Sequence, residues 1–568
     1  MLDIPSDNKK LTRQALDWIE ECRQSQASRT AYCRSINQIV ETGRNSGPKA
    51  LLNLLPFLLD RFASHLFSPT ELQFTIDYEN TYPKNVLEFA KVGARLLSRH
   101  WERSNTDMTF ARGVYEAGKY GACILKQWVQ EEGEKKTPIY HKRLVMPWQF
   151  GVYREDENEL GKQAAMCETT LMTMPEVWRR IWMLPEAEKL YNRIETHSMR
   201  GLMGDTPNSF FHQVLSTSQI NTSGQGGAAM PGGIVSLTSD ANYPILEPQI
   251  GANTVRMHEL WVQGEKDYCT IQIIEPDILV SPVYNRSNLL IKDSGLHPYT
   301  LIQMNEVSGY FWGRSEISDV VEAQGLLATT ADDMKRMLGL QIDKLLGFSG
   351  YDGLGDELYD QARGAGYFNM PAGASVNDIT PAWVDVLPIM KYLVESINMQ
   401  SGFPEIMQGR GEPGVRAGVH ADTLLKTGSP TLRDRSLLVE RQCATAADLT
   451  FALKEAKDGK TYWWDGSDIK KADETSFILG DIPEDRRISV DSHSSSPIFA
   501  DDHRQLVAEG AKLGVVGGHS IIDLLPFPQK ALLHAELTEK QAKEAAMLED
   551  LKKNFPEAYE KVLAKGKH

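Results

Sequence analysis

The chain is short of most features that announce a chemistry. Its 568 residues hold six cysteines, at positions 22, 33, 123, 167, 269 and 443, with no C-x-x-C pair among them. A zinc framework or a disulfide scaffold is therefore not expected, and assembly in a reducing cytosol fits best. None of the 13 histidines stands in an H-x-x-x-H or H-E-x-x-H pattern, which removes the usual zinc-hydrolase signature. No G-x-S-x-G elbow occurs. Long apolar runs are missing too: the strongest, Ala50 to Leu59, is broken by Asn53 and Pro56 and is too short to span a bilayer, so no membrane partner is expected. The N-terminus, with Asp3 and Asp7 in a polar run, does not read as a signal peptide. Positive charge is also in deficit, with 61 Lys and Arg against 76 Asp and Glu and a net charge of -15. This argues against tight wrapping of nucleic acid, which depends on basic side chains that neutralise phosphates. It does not argue against passage of DNA along a wall.

Three segments come close to phosphate-binding loops and fall short. Gly113 to Lys119 spells G-x-x-x-x-G-K, but Tyr120 follows where Mg²⁺ coordination needs Ser or Thr, and the flanks run helix then strand. Gly459-Lys460-Thr461 has the end of the motif with Lys454 in place of its first glycine, and reads as a helix stop. Gly409 to Gly414 has the spacing, with Val415 in place of the lysine. The paired carboxylates Asp332-Asp333, Asp501-Asp502 and Glu155-Asp156-Glu157 read as solvated charge. No active site, metal or cofactor is expected.

What is present is a long succession of elements. Helical spacing covers residues 9 to 65, a short strand falls at 74–78, and helices follow at about 85–104 and 107–117. Strands occupy 122–129 and 138–153, and a helix covers 175–196. From 201 to 248 the composition shifts to Gly, Ser, Thr, Asn and Pro, the pattern of a long mobile insertion. A β meander returns over 254–284. The stretch Phe311 to Lys457 organises the remainder. Its first helix is expected to start after Gly313-Arg314, with Ser315 as N-cap and Glu316 facing the positive end of the helix dipole. Apolar or small residues recur at Ile317, Val320, Val321, Leu327, Ala328, Ala331, Met334, Leu338, Ile342 and Leu345, and only Gln324 breaks the stripe. A Gly-rich β insert, a second helix, a Gly/Pro loop and a third helix follow, then a Ser-rich linker at 492–496 and a mainly helical C-terminal part.

The run His297-Pro298-Tyr299, then Gly309-Tyr310-Phe311-Trp312-Gly313-Arg314-Ser315, then a long helix with Gln324, resembles the approach to the stem of tailed-bacteriophage portal proteins, the short-tailed type most closely. The order of the other elements is similar to that family over residues 10 to 568. The resemblance implies an α+β portal fold assembled as a ring: a wing (1–314, with the mobile insertion at 201–248), a stem helix (315–345), a small β-containing clip (346–383), a returning stem helix (384–401), a tunnel loop (402–419), a long helix returning to the wing (420–491) and a crown (492–568). It implies a dodecamer at one capsid vertex through which double-stranded DNA is packaged and ejected without sequence specificity. The partners it implies are the terminase large subunit, tail adaptor proteins, and the major capsid and scaffolding proteins. The location implied is the virion, after assembly in the bacterial cytoplasm.

On that reading, Glu405, Gly409, Arg410, Gly411, Glu412, Pro413, Gly414, Arg416 and Gly418 form the tunnel loop, with Glu395, Glu405 and Glu412 contributing acidic rings. Tyr351, Leu354, Tyr359, Arg363, Tyr367 and Phe368 belong to the clip, where the aromatic and apolar ones either meet the terminase and adaptor or are buried between subunits. Two other classes stay open: another virion structural protein, and a packaging ATPase or nuclease, against which the missing P-loop counts.

Overall fold

The computed structural model describes residues 7–203, 254–349, 375–401 and 430–490, each with short gaps, together with 509–512 and a few isolated positions beyond. Among these the chain is a mixed α+β protein with no closed barrel. It opens with α1 (Asn8–Thr42), α2 (Leu55–Leu66), β1 (Phe74–Tyr78), α3 (Lys84–Arg103) and α4 (Thr106–Tyr120). The strands β2 (Cys123–Glu132), β3 (Thr137–Val145), β4 (Phe150–Val152) and β5 (Ala165–Thr173) come next, then α5 (Met174–Ile181) and α6 (Ala187–Met203). After residues 204–253, where most of the expected insertion lies outside the described residues, come β6 (Thr254–Gln263), β7 (Tyr268–Ile274), β8 (Ile278–Leu279), β9 (Asn285–Arg286) and β10 (Tyr299–Ile302). The single helix expected over 175–196 is two helices, because Glu186 turns the chain with a φ of 58°.

Two antiparallel sheets form the body. The larger has the order β4-β5-β6-β7-β8, with β9 also on β7, and the smaller has the order β10-β2-β3. In the larger sheet, alternate residues divide cleanly between two faces, as the two-residue strand period requires. Ala165, Cys167, Leu260 and Val262 meet Leu11, Ala15, Trp18 and Cys22 of α1. Met172, Val255 and Met257 on the opposite face cover α5 and α6 through Val177, Ile181 and Ile194.

That second face also carries two acids directly opposite each other in register, Glu168 and Glu259. They face the smaller sheet. Lys126 of β2 reaches both, with Nζ 2.7 Å from Glu168 and 2.6 Å from Glu259. Arg143 of β3 also pairs with Glu168. The Tyr299 hydroxyl of β10 donates to Glu168 at 2.9 Å, and Trp261 Nε1 donates to Glu259 at 2.8 Å. Burial raises the energy of the Glu259 carboxylate, yet Lys126 more than offsets it and holds the group below the ordinary carboxylate range. Two anions and two cations thus neutralise one another between the sheets.

Beyond β10 the described chain has α7 (Val321–Ile342), β11 (Leu346–Ser349), β12 (Ser375–Asp378), α8 (Leu387–Gln400) and α9 (Pro430–Lys457). It ends with β13 (Tyr462–Trp463), β14 (Ser476–Phe477) and β15 (Arg486–Val490), the last pairing with β1 from the opposite end of the chain. The 28-residue α9 is buried on two sides: Leu432, Val439, Cys443, Ala446, Ala447 and Phe451 join the cluster around α3 and α4, while Leu449 and Leu453 join the one between the sheets. Gln127 Nε2 donates to the Ala446 carbonyl at 3.0 Å, and the Trp101 indole donates to Thr450 at 3.1 Å.

Lys126→Met should lower unfolding free energy in urea by about 3–5 kcal/mol, since it leaves two buried carboxylates with one cation between them. A loss below about 1 kcal/mol would mean that the network does not hold the sheets together.

Candidate functional site

The feature that stands apart from the two-sheet body is the helix pair α7/α8, with the antiparallel strand pair β11/β12 between its members in sequence. Its root is built from local sequence that forbids substitution. Gly121 ends α4 with a φ of 88°, and Gly313 takes a φ of 65°; a Cβ on Gly313 would stand 2.8 Å from the carbonyl oxygens of Asn305 and Gly121. Only residues without a Cβ let these two backbones touch. Phe311 and Trp312 beside them are fully buried, and Arg29 of α1 lies over the Trp312 ring.

The first helix starts later than its sequence suggests. Ser315 and Glu316 do not open it as cap and first-turn acid. Ser315 Oγ donates to the backbone carbonyl of Lys119 and accepts from the Ile317 N–H at 3.4 Å, Glu316 N–H donates to the Gly118 carbonyl at 3.0 Å, and residues 316–320 turn through three-residue steps before α7 begins at Val321. The polar groups of this corner are committed to α4, so regular helix is deferred by six residues. The Glu316 carboxylate turns away from the helix axis and meets Arg435 of α9 at 2.7 Å.

Gln324 is the residue that interrupts the apolar stripe, and it is fully buried. Its side-chain oxygen accepts from Leu54 N–H at 3.1 Å, and its nitrogen donates to the Leu52 carbonyl at 2.8 Å. It thereby satisfies both backbone groups of the α1–α2 connection. Asp332, expected to be solvated, pairs with Arg44 at 2.7 Å and fastens the same connection one helical stretch further along. Glu155, from another expected solvated cluster, accepts from the Trp312 indole at 2.9 Å.

Leu327 of α7 and Leu393 and Ile397 of α8 pack with Leu55, Leu58 and Leu59 of α2 and with Ile36, Ile39 and Val40 of α1. Cover ends there. Gln324, Leu327, Ala328, Ala331, Leu338 and Ile342 share one face at 100° per residue, but burial stops at Ala331: Leu338 is 42% exposed and Ile342 78%. On α8, Ile389 and Tyr392 toward the tip are 51% and 69% exposed, preceded by exposed Trp383 and Val384, while Met399 at the root end is 81% exposed. The outer part of the pair therefore leaves apolar side chains uncovered among the described residues, interspersed with exposed charges such as Lys335.

Of the residues expected to act, the whole tunnel-loop set from Glu405 to Gly418 and the clip set Tyr351, Leu354, Tyr359, Arg363, Tyr367 and Phe368 lie outside the described residues, as does the crown apart from 509–512 and isolated positions. Glu395 is described and lies exposed on α8. The P-loop-like Gly113–Lys119 is helix throughout: Gly113 lies under Ile302 and Leu144, Gly118 under Met304, and Lys119 donates to Asn37. Its glycines serve close packing, and its lysine is buried.

Nothing else among the described residues assembles a reactive constellation. No group of His, Cys, Asp and Glu is placed to hold a metal ion. Burial pushes the His297 ring down to about 4 and the Cys33 and Cys167 thiols up to about 12. His258 sits buried between Thr169 and Glu275, and desolvation lowers its pKa in spite of that carboxylate. No helix among the described residues is long and apolar enough to cross a membrane. Comparison with protein-family models finds no match, and comparison with curated proteins finds none either.

Two outcomes check this picture. Gln324→Leu should destabilise the chain by about 2 kcal/mol despite its apolar gain, because it strands the Leu54 N–H and Leu52 carbonyl, and a neutral or stabilising result would remove Gln324 from its clamping role. All six cysteines are free and buried, so a disulfide exchange reagent should label none of them within minutes in the native protein and all six in urea.

Proposed function

We propose that the chain is the repeating subunit of a ring-shaped conduit for double-stranded DNA at a phage capsid vertex, a portal protein. The observation that carries this reading is the helix pair: its root is bolted to the body by directional polar contacts, while large apolar side chains of both helices stay exposed. A lone soluble chain rarely leaves Ile342, Tyr392 and Met399 open along one element, and lateral neighbours in a ring would cover such side chains. The element order supports the same reading, with a two-sheet body, an outgoing helix, an antiparallel strand pair, a returning helix and then a long buried helix that runs back into the body. A net charge of -15 suits a wall along which phosphates slide without sticking.

In this assignment α7 and α8 are the stem, β11 and β12 part of the clip, and residues 402–419 the loop that faces DNA at the narrowest point. The clip would meet the terminase large subunit during filling and a tail adaptor afterwards, and the body would face the capsid and scaffolding proteins. The protein has no catalytic part in this scheme. Force comes from the terminase, and the chain supplies shape and a wall of suitable charge.

Electron microscopy of the purified full-length chain should show twelve-fold rings with a central hole. Monomers at high concentration, or filaments without a hole, would overturn the proposal in favour of another virion component, and robust ATP hydrolysis by the pure chain would point to a motor. The double variant Ile389→Glu/Tyr392→Glu changes two exposed residues, so it should melt within a few degrees of the parent while sedimenting as a monomer. Intact rings from it would mean that α8 does not form the contact between copies.

A further inference from the structure

The root of the helix pair holds an acid whose surroundings do not suit its charge. The Glu316 side chain is fully enclosed, with 0% exposure. Apart from the ion pair to Arg435, neither of its oxygens accepts a hydrogen bond among the described residues. Arg435 keeps 21% of its side chain exposed and lies 5.5 Å from the Phe62 ring, so it is anchored by its own helix and by α2 and not by the acid alone. The other charged groups acting on Glu316 are Asp319, which disfavours its charge, and Arg314, which favours it, and these two are paired with each other at the surface. The carboxyl is therefore paired with one cation, on another element, and is closed off from solvent.

We propose that Glu316 is a proton-operated latch between the root of the helix pair and α9: uncharged it stays enclosed and the two elements stay closed, and ionised it draws water in and loosens them. The location gives the latch leverage. Glu316 sits in the corner that sets the direction of α7, directly before the turn whose Ile317 and Val320 are buried, and Arg435 lies one turn into α9 as it enters the body. A change at this one contact alters how the outgoing helix is tied to the helix that returns.

The direction of the response follows from the chemistry. Desolvation raises the Glu316 pKa from 4.5 to about 7, with Arg435 offsetting part of the effect. The closed state thus binds a proton that the opened, hydrated state releases. Its contribution to stability is complete below about 4.5, falls as pH rises, and is lost by about 7. The loosening should therefore occur on the alkaline side, opposite to that of an ordinary salt bridge. The latch needs no ring and does not rest on the proposed function.

Hydrogen exchange of the full chain from pH 5 to 8.5, corrected for the intrinsic rate, tests it at the amides of 317–324 and 432–442. The parent should show local opening that grows on the order of a hundredfold across this range, as the shift in proton affinity dictates. Glu316→Gln, a neutral isostere, should show no such growth. Arg435→Met, which removes the α9 counter-ion, should move the parent's transition to higher pH. The thermal midpoint at the same pH values gives a second readout, and the gap between Glu316→Gln and the parent should widen as pH rises. An equal pH dependence in parent and Glu316→Gln, or none in the parent, would overturn the proposal.

Discussion

The geometry of the molecule depends on the charged contact between its two sheets. Lys126 lies between Glu168 and Glu259, with Arg143 and the Tyr299 hydroxyl completing the shell, and three strands of one sheet are thereby indexed to two strands of the other. An apolar interface would hold the sheets as firmly but would allow them to slide. Ionic hydrogen bonds of 2.6–2.9 Å do not, because a shift of one residue would put a carboxylate against an apolar side chain. Tyr299 opens β10, and the chain leaves that strand through Gln303 and the Gly313 corner into α7. The same contact that registers the sheets therefore fixes where the helix pair begins and which way it leaves.

Much of this was legible in the sequence, and what was not has a common cause. The helices and most strands follow from apolar periodicity, a local property, and the observed bounds agree with the pattern to within a few residues at α3 and α4. The misreadings concern polar residues whose partners are distant in the chain. Ser315 and Glu316 have the composition of a helix start, but Gly118, Lys119 and Arg435 take their hydrogen-bonding groups. Asp332 looked solvated until Arg44, almost three hundred residues earlier, was found beside it. Gln324 did carry a signal, as the one polar residue in an apolar stripe, but only the fold shows that it clamps the Leu52–Leu54 backbone. Lys126, Glu168 and Glu259 carried none, since a charged residue on a strand reads as solvent-facing until a second sheet covers it.

The helix pair divides its binding energy in a way that bears on assembly. At the root the contacts are polar and directional, namely Gln324 on two backbone groups, Asp332 on Arg44 and Ser315 on the end of α4, so the angle of the pair is set within one chain. Toward the tip they are apolar and non-directional, the side chains of Leu338, Ile342, Ile389 and Tyr392, which adhere over a range of offsets. A closed ring needs this order of specificity. An angular error in each subunit is repeated at every interface, so it must be suppressed inside the subunit, where unpaired buried polar groups penalise it by kilocalories. In the proposed ring, an interface between copies could then be apolar and tolerant of small offsets. A pair built the other way, loose at the root and keyed by charges at the tip, would form open helices as readily as rings.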